Sequence, residues 1–183
     1  MSLKSILKKN RAVIKFLIVF FGTYFILALL YQGYLKYFPS ENFYPDYITH
    51  QVALQSHQLI EWMGYETYIV KHPSNPSMVL AIKDKYVARI IEGCNSVSVI
   101  ILFLAFIVAF SKGWKETLVF IIIGGLLIYI FNLIRIALLT LGLYFYPQYG
   151  DFMHEILFPL FIYGFVFFLW IFWVRHYQKS KKG

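Results

Sequence analysis

The chain has 183 residues, of which 60% are hydrophobic and 21% aromatic, with only 14% charged and a mean hydropathy of +0.63. That balance excludes an ordinary soluble domain and marks an integral membrane protein. The net charge of +8 does not point to nucleic acid, because the basic residues flank apolar runs instead of forming one interleaved patch, and the single cysteine excludes an intrachain disulfide and any multi-cysteine metal cluster.

In chain order, residues 1–15 are a basic lead carrying Lys4, Lys8, Lys9, Arg11 and Lys15, expected on the cytoplasmic side. Residues 16–35 are uncharged over about the 20 positions that a bilayer requires. The run exceeds a signal-peptide core and lacks a small-residue cleavage site, so it reads as a first, uncleaved span. Residues 36–93 hold most of the acidic side chains and are too few for an independent core. Within them Asp46 is predicted to cap a helix reaching about Met63, in which Ile48, Val52, Leu59 and Met63 recur at helical spacing, as in an amphipathic helix lying on the membrane surface. Residues 65–70, 78–82 and 86–91 are rich in β-branched and aromatic side chains. They are separated by Pro73-Ser74-Asn75-Pro76 and by Lys83-Asp84-Lys85, which predicts short strands and a hairpin.

A second span is expected over 94–110, a basic turn over 111–116 and a third span over 117–146, the last with one charge, Arg135. Gly124-Gly125 is expected to permit close helix packing. A polar loop over 147–155, a fourth span over 156–174 and a basic tail over 175–183 complete the chain. The expected fold class is an all-α polytopic membrane protein, four transmembrane helices with a small α+β extracytoplasmic cap. The proposed inside segments hold eleven Lys and Arg and the outside segment five, which places both termini in the cytoplasm and 36–93 outside.

The chemistry centres on Glu92-Gly93-Cys94-Asn95-Ser96. A thiol at a helix N-terminus meets the positive end of the helix dipole, which favours the nucleophilic thiolate. Gly93 is expected to let the backbone turn sharply and to leave room for an incoming chain. An Arg inside an apolar run costs roughly 2.5–3.5 kcal/mol at mid-helix, so Arg135 calls for a partner or a task. At a rise of ~1.5 Å per residue, Cys94 lies about 24 Å above Phe110, Arg135 about 27 Å above Thr117 and His154 about 30 Å above Val174. The three converge on one layer at the outer face. Asn132, one turn before Arg135, and Asn95, beside the cysteine, are the candidate substrate-binding residues.

Each of these also has a plainer reading: Cys94 as a buried inert filler, Arg135 snorkelling to the headgroups, Asn132 as glue between helices. His50 and His57 stand seven apart, too far for an i, i+4 metal pair, and are expected to be solvated, as are Asp151 and Glu155 beside His154. His72 and His176 lie outside the constellation.

The run Tyr86-Val87-Ala88-Arg89-Ile90-Ile91-Glu92-Gly93-Cys94, followed by Asn132-Leu133-Ile134-Arg135 and then His154, resembles the exosortase/archaeosortase family, with a length similar to its short F-type branch. The resemblance extends from residue 65 to the end. It implies a membrane cysteine transpeptidase or protease of the bacterial inner (cytoplasmic) membrane, with its active site on the extracytoplasmic face, that processes C-terminal sorting signals of exported proteins through a thioester. In that scheme Cys94 is the nucleophile, Arg135 the stabiliser and His154 the acid/base. No metal or organic cofactor is required. The partners implied are exported proteins with a C-terminal sorting signal, membrane lipid, and an acceptor amine or hydroxyl on a lipid or glycan, with no nucleic acid. Many members carry Gly two residues after the Cys, whereas here Asn95-Ser96 follow. The alternative is a non-enzymatic membrane assembly or export subunit, in which Arg135 pairs with a partner's acid and Cys94 is structural.

Overall fold

The computed structural model describes residues 10–37, 44–111 and 113–179, with side chains described up to 176. The basic lead up to residue 9, Lys112 of the basic turn and the last four residues of the basic tail lie outside the described residues.

The protein is mostly helical, with one small sheet. Helix α1 (Arg11–Tyr37) is followed by α2 (Tyr47–Trp62), strands β1 (Thr67–Lys71), β2 (Met78–Ile82) and β3 (Lys85–Ile90), then α3 (Val97–Ala109), α4 (Trp114–Phe145) and α5 (Phe158–Lys179). Among the described residues three helical runs are long and apolar enough to cross a membrane: α1, α4 and the run Pro147–His176 that contains most of α5. The expected second span is shorter than predicted. At 13 residues, α3 rises only about 20 Å against a hydrocarbon core of about 30 Å. Its start is delayed because Ser96 adopts φ 63°, a left-handed conformation that interrupts the helix.

Apolar packing joins α3, α4 and α5 around Phe103, Ile107, Ile128, Ile162, Val166, Leu169 and Trp173. The Phe103 ring lies so close to Gly124 that a Cβ there would overlap it, which bears out the close helix approach expected at Gly124-Gly125. At the far end of α3 the carbonyl of Phe110 accepts a bond from Trp173 Nε1 at 3.1 Å, covering one of the acceptors that a helix C-terminus leaves open. Helix α1 packs along α3 but buries none of its own residues. The outward faces carry exposed Leu29, Ile122, Leu126, Phe167 and Phe168, the surface that lipid requires.

Asp46 caps α2 as expected, its Oδ1 accepting from the backbone N–H groups of Ile48 and Thr49 at 3.0 Å each. The buried stripe is Thr49, Val52, Ala53, Ser56 and Ile60, and the helix packs against β1, β2 and α4. Small side chains let it approach closely, so α2 contributes to a core instead of lying free with Met63, which is 46% exposed. Two of the histidines read as solvated are engaged here. His57 Nδ1 bonds Thr67 Oγ1 at 2.6 Å, tying α2 to β1, and His50 Nδ1 lies 3.2 Å from the Tyr44 carbonyl.

The strands form an antiparallel sheet in the order β1-β2-β3. Registers run Lys71↔Met78 to Thr67↔Ile82 and Met78↔Ile90 to Ile82↔Lys85, the second interrupted at Leu80/Ala81. Every residue of the central strand β2 is buried. Val52, Ile60, Leu80, Ile82 and Ile90 share one core with Ile136, Ala137 and Leu141 of α4, so the outer third of α4 belongs to the cap.

The loop expected over 147–155 is helical instead. A 3-10 turn (Pro147–Tyr149) and a short helical turn (Gly150–Phe152) lead into a π turn (Met153–Leu157) continuous with α5. Polar Asp151 and Glu155 suggested a loop, but both side chains are exposed, so a helix accommodates them without burial.

Candidate active site

One cavity of about 500 Å³ joins three parts of the chain: the end of β3 with Gly93 and Cys94, Arg135 and Thr140 of α4, and His154 with Phe158 from the π turn and α5. The three residues expected to act together thus line a single cavity.

Cys94 closes a one-turn 3-10 helix, Glu92–Cys94. Its N–H donates to the Ile91 carbonyl at 2.8 Å, and Asn95 N–H donates to Glu92 O at 3.3 Å. Its own carbonyl accepts from Asn132 Nδ2 at 2.7 Å, so α4 holds the turn from beside it. The cysteine is not at the helix N-terminus that the sequence suggested. Helix α3 begins three residues later, and its first N–H is capped by Asn95 Oδ1 at 3.0 Å. The positive group that Cys94 meets is instead Arg135, which lines the same cavity and attracts the thiolate electrostatically.

Gly93 takes no unusual φ; the left-handed backbone falls at Ser96. This is the position two residues after the cysteine, and it retains a conformation that glycine adopts freely. Ser96 Oγ donates to the Asn95 carbonyl at 2.6 Å. A Cβ on Gly93 would meet only Ile91, at 3.8 Å, so the approach to Cys94 from that side is open.

Tyr163 of α5 lies within electrostatic range of the Arg135 guanidinium. Its Nε is buried with no hydrogen-bond partner among the described residues. His154 is exposed and lines the cavity wall. Its π turn adds a residue to a helical turn, a distortion frequent at functional sites, and Met153 of that turn packs against Gly142 of α4. Among the described residues neither Asp151 nor Glu155 makes a hydrogen bond or ion pair with His154, and no group of three or more His, Cys, Asp and Glu is placed to hold a metal ion.

The two asparagines do not line the cavity. Asn95 is 1% exposed; its Nδ2 donates to Tyr31 Oη at 2.7 Å and Thr49 Oγ1 at 3.0 Å, joining α1 and α2 to the segment that carries Cys94. Asn132, also 1% exposed, is engaged with Cys94 O. Both hold the turn that carries the thiol. Sequence reasoning gives no role to Arg89 and the end of β3, which form one wall, nor to Tyr163. Arg89 enters it only among the outside charges and within the run that carries the resemblance; its place after a hairpin and five residues before the cysteine is the available signal.

A thiol, a guanidinium and an imidazole in one cavity provide the parts for nucleophilic attack on a carbonyl: an attacking atom, a cation for the developing charge and a group that transfers protons. The sequence signature of the transmembrane exosortases matches the chain over residues 12–175. No curated protein and no solved structure matches it.

Proposed function

From the premise that this chain belongs to the transmembrane exosortase family, we propose that it is a cysteine transpeptidase or protease that trims C-terminal sorting signals from exported proteins. The observation that carries the proposal is the single cavity shared by Cys94, Arg135 and His154. The Cys94 thiolate attacks a peptide carbonyl near the membrane-spanning tail of the substrate. Arg135 holds the oxyanion of the tetrahedral intermediate, and its unpartnered Nε gives it a donor in reserve. His154 delivers a proton to the leaving amine as the C–N bond breaks, leaving a thioester on Cys94. An acceptor amine or hydroxyl, on a lipid or a glycan, then gives its proton back to His154 as it attacks the thioester and displaces the thiolate; water in its place gives hydrolysis. Asn132 and Asn95 act as positioning residues for the catalytic turn.

The membrane in question is the bacterial inner membrane, with both termini cytoplasmic and the cavity on the extracytoplasmic face, as the Lys and Arg distribution favours. In this topology α3 serves as the fourth crossing, shortened because the turn bearing Cys94 is sunk toward the bilayer. The test is mass spectrometry of exported proteins from cells carrying the native chain or Cys94→Ala. A set of proteins that keep their C-terminal segment only in the Cys94→Ala cells is expected. Identical C-termini in both would leave the non-enzymatic assembly subunit as the reading.

A further inference from the structure

The wall of the cavity made by β3 and the residue after it is lined by five consecutive residues, 87–90 of the strand and Ile91. Side chains alternate between the two faces of a strand, so a cavity lying on one face would meet every second residue. Meeting all five places the cavity along the edge of β3. That edge is free within the sheet, because β3 is a terminal strand in the order β1-β2-β3.

The direction of its peptide groups follows from the ladder. Along an antiparallel strand, bonding to one neighbour alternates residue by residue. Ser77 and Lys83 turn toward β1, since His72 N–H donates to Ser77 O and Lys83 N–H to Glu66 O, both at 3.0 Å. Met78, Leu80 and Ile82 therefore turn toward β3, opposite Ile90, Ala88 and Lys85. Arg89 and Ile91, out of phase with Ala88 and Ile90, point their peptide groups away from β2 and along the cavity. The Ile91 carbonyl is occupied by Cys94 N–H. What remains is the N–H and C=O of Arg89 and the N–H of Ile91, none with a backbone or side-chain hydrogen-bond partner among the described residues.

We propose that the substrate segment leading to the scissile bond binds as an added strand on the free edge of β3, parallel to it, and is delivered past Gly93 to Cys94. This rests on the sorting-signal reading above. Strand β3 runs toward Cys94, and a substrate whose tail enters the membrane beyond the cut must run the same way. In parallel pairing one residue of the edge bonds two substrate residues on either side of its opposite number. Arg89 N–H donates to the carbonyl of one substrate residue, and Arg89 C=O accepts from the N–H two positions later, whose own carbonyl is reached by Ile91 N–H. Recognition is then carried by the main chain, with side-chain pockets adding selectivity.

The test uses the full chain in detergent and a synthetic peptide copied from the cut region of a protein that the Cys94→Ala comparison identifies. Binding is read as protection of Cys94 from iodoacetamide. A series of peptides, each N-methylated at one amide, is expected to lose protection by about tenfold at the position that donates to Arg89, while methylation at the adjacent amides leaves it intact. Loss without alternation, or no loss anywhere, overturns the added strand while leaving the enzymatic reading standing. A second arm compares Arg89→Pro with Arg89→Ala. Proline removes an N–H that β2 does not use, a place where strands accept it, so Arg89→Pro is expected to protect and process about tenfold less than Arg89→Ala. Equal behaviour of the two also overturns it. If Cys94→Ala changes no exported C-terminus, the sorting-signal reading itself falls and takes this inference with it.

Discussion

Asn132 Nδ2 donates to the carbonyl oxygen of Cys94 at 2.7 Å, and Arg135, one turn further along the same helix face, lines the cavity that the thiol of that residue enters. One face of α4 therefore holds the main chain of Cys94 and presents a cation to its side chain, and the turn Glu92–Cys94 cannot shift without breaking the bond to Asn132.

Asn132→Ala is expected to leave the Cys94 carbonyl without its partner, at a cost of about 1–3 kcal/mol, and to slow processing by at least tenfold with substrate binding little changed. Asn132→Asp should be worse, because an ionised carboxylate has no donor to offer the carbonyl and sits one turn from Arg135. Processing rate and substrate affinity, measured separately, check this; a fully active Asn132→Asp protein would show that the bond is dispensable.

Arg135→Lys keeps the charge but loses the planar fork of donors that engages a thiolate and a carbonyl oxygen together. Losing one such donor typically costs ~10²–10³ in rate. Processing by Arg135→Lys, normalised to protein level, is expected to fall in that range. Native rates would reduce Arg135 to a snorkelling cation.

Cys94 is the only thiol and is half-buried in a cavity open beside Gly93. A small, membrane-impermeant maleimide is expected to label it on intact cells, and Cys94→Ala to abolish the signal. Labelling confined to permeabilised cells would reverse the orientation.

Ser96 supplies a further check. Glycine there relieves the left-handed φ of 63° but gives up the bond to Asn95 O and adds unfolded-state freedom, opposing effects of about 1 kcal/mol each. Ser96→Gly should therefore melt within a few degrees of the native protein. Ser96→Val places a β-branched residue in that backbone and is expected to cost about 1–3 kcal/mol; equal thermal stability of the valine variant would contradict the conformation.

The contact of Phe103 with Gly124 predicts a coupled pair. Gly124→Ala is expected to destabilise by about 1–3 kcal/mol through overpacking. Phe103→Leu, harmful alone, should relieve it, so that the double variant is more stable than the sum of the two singles. Strict additivity in detergent unfolding would separate the two residues.

Much of this architecture was legible because its causes are local. Asp46 announced α2 through its side-chain oxygen, the Pro73–Pro76 and Lys83–Lys85 breaks bounded the strands, and helical rise alone put Cys94, Arg135 and His154 at one level. What was not legible depends on partners far along the chain. The apolar residues of α2 suggested a helix on a lipid surface, but the buried stripe is set by small residues that fit β1, β2 and α4. The thiol was assigned to the start of a helix because nothing in Asn95-Ser96 betrays a left-handed break. The asparagines looked available for substrate, since the carbonyl and hydroxyls that occupy them come from residues 38 to 64 positions away.

The π turn at Met153–Leu157 makes the position of His154 a matter of residue count. A π turn holds one residue more than the α-helix around it needs and takes it up locally as a wider turn, so the helix on either side keeps its phase. A single-codon deletion within the turn would thus close it into regular helix, leaving the packing of the flanking segments intact and changing only the width of the turn that carries the imidazole. Among descendants of this chain, the loss of one codon there is a change that composition and helix packing would both hide, and that only the reach of His154 into the cavity would register.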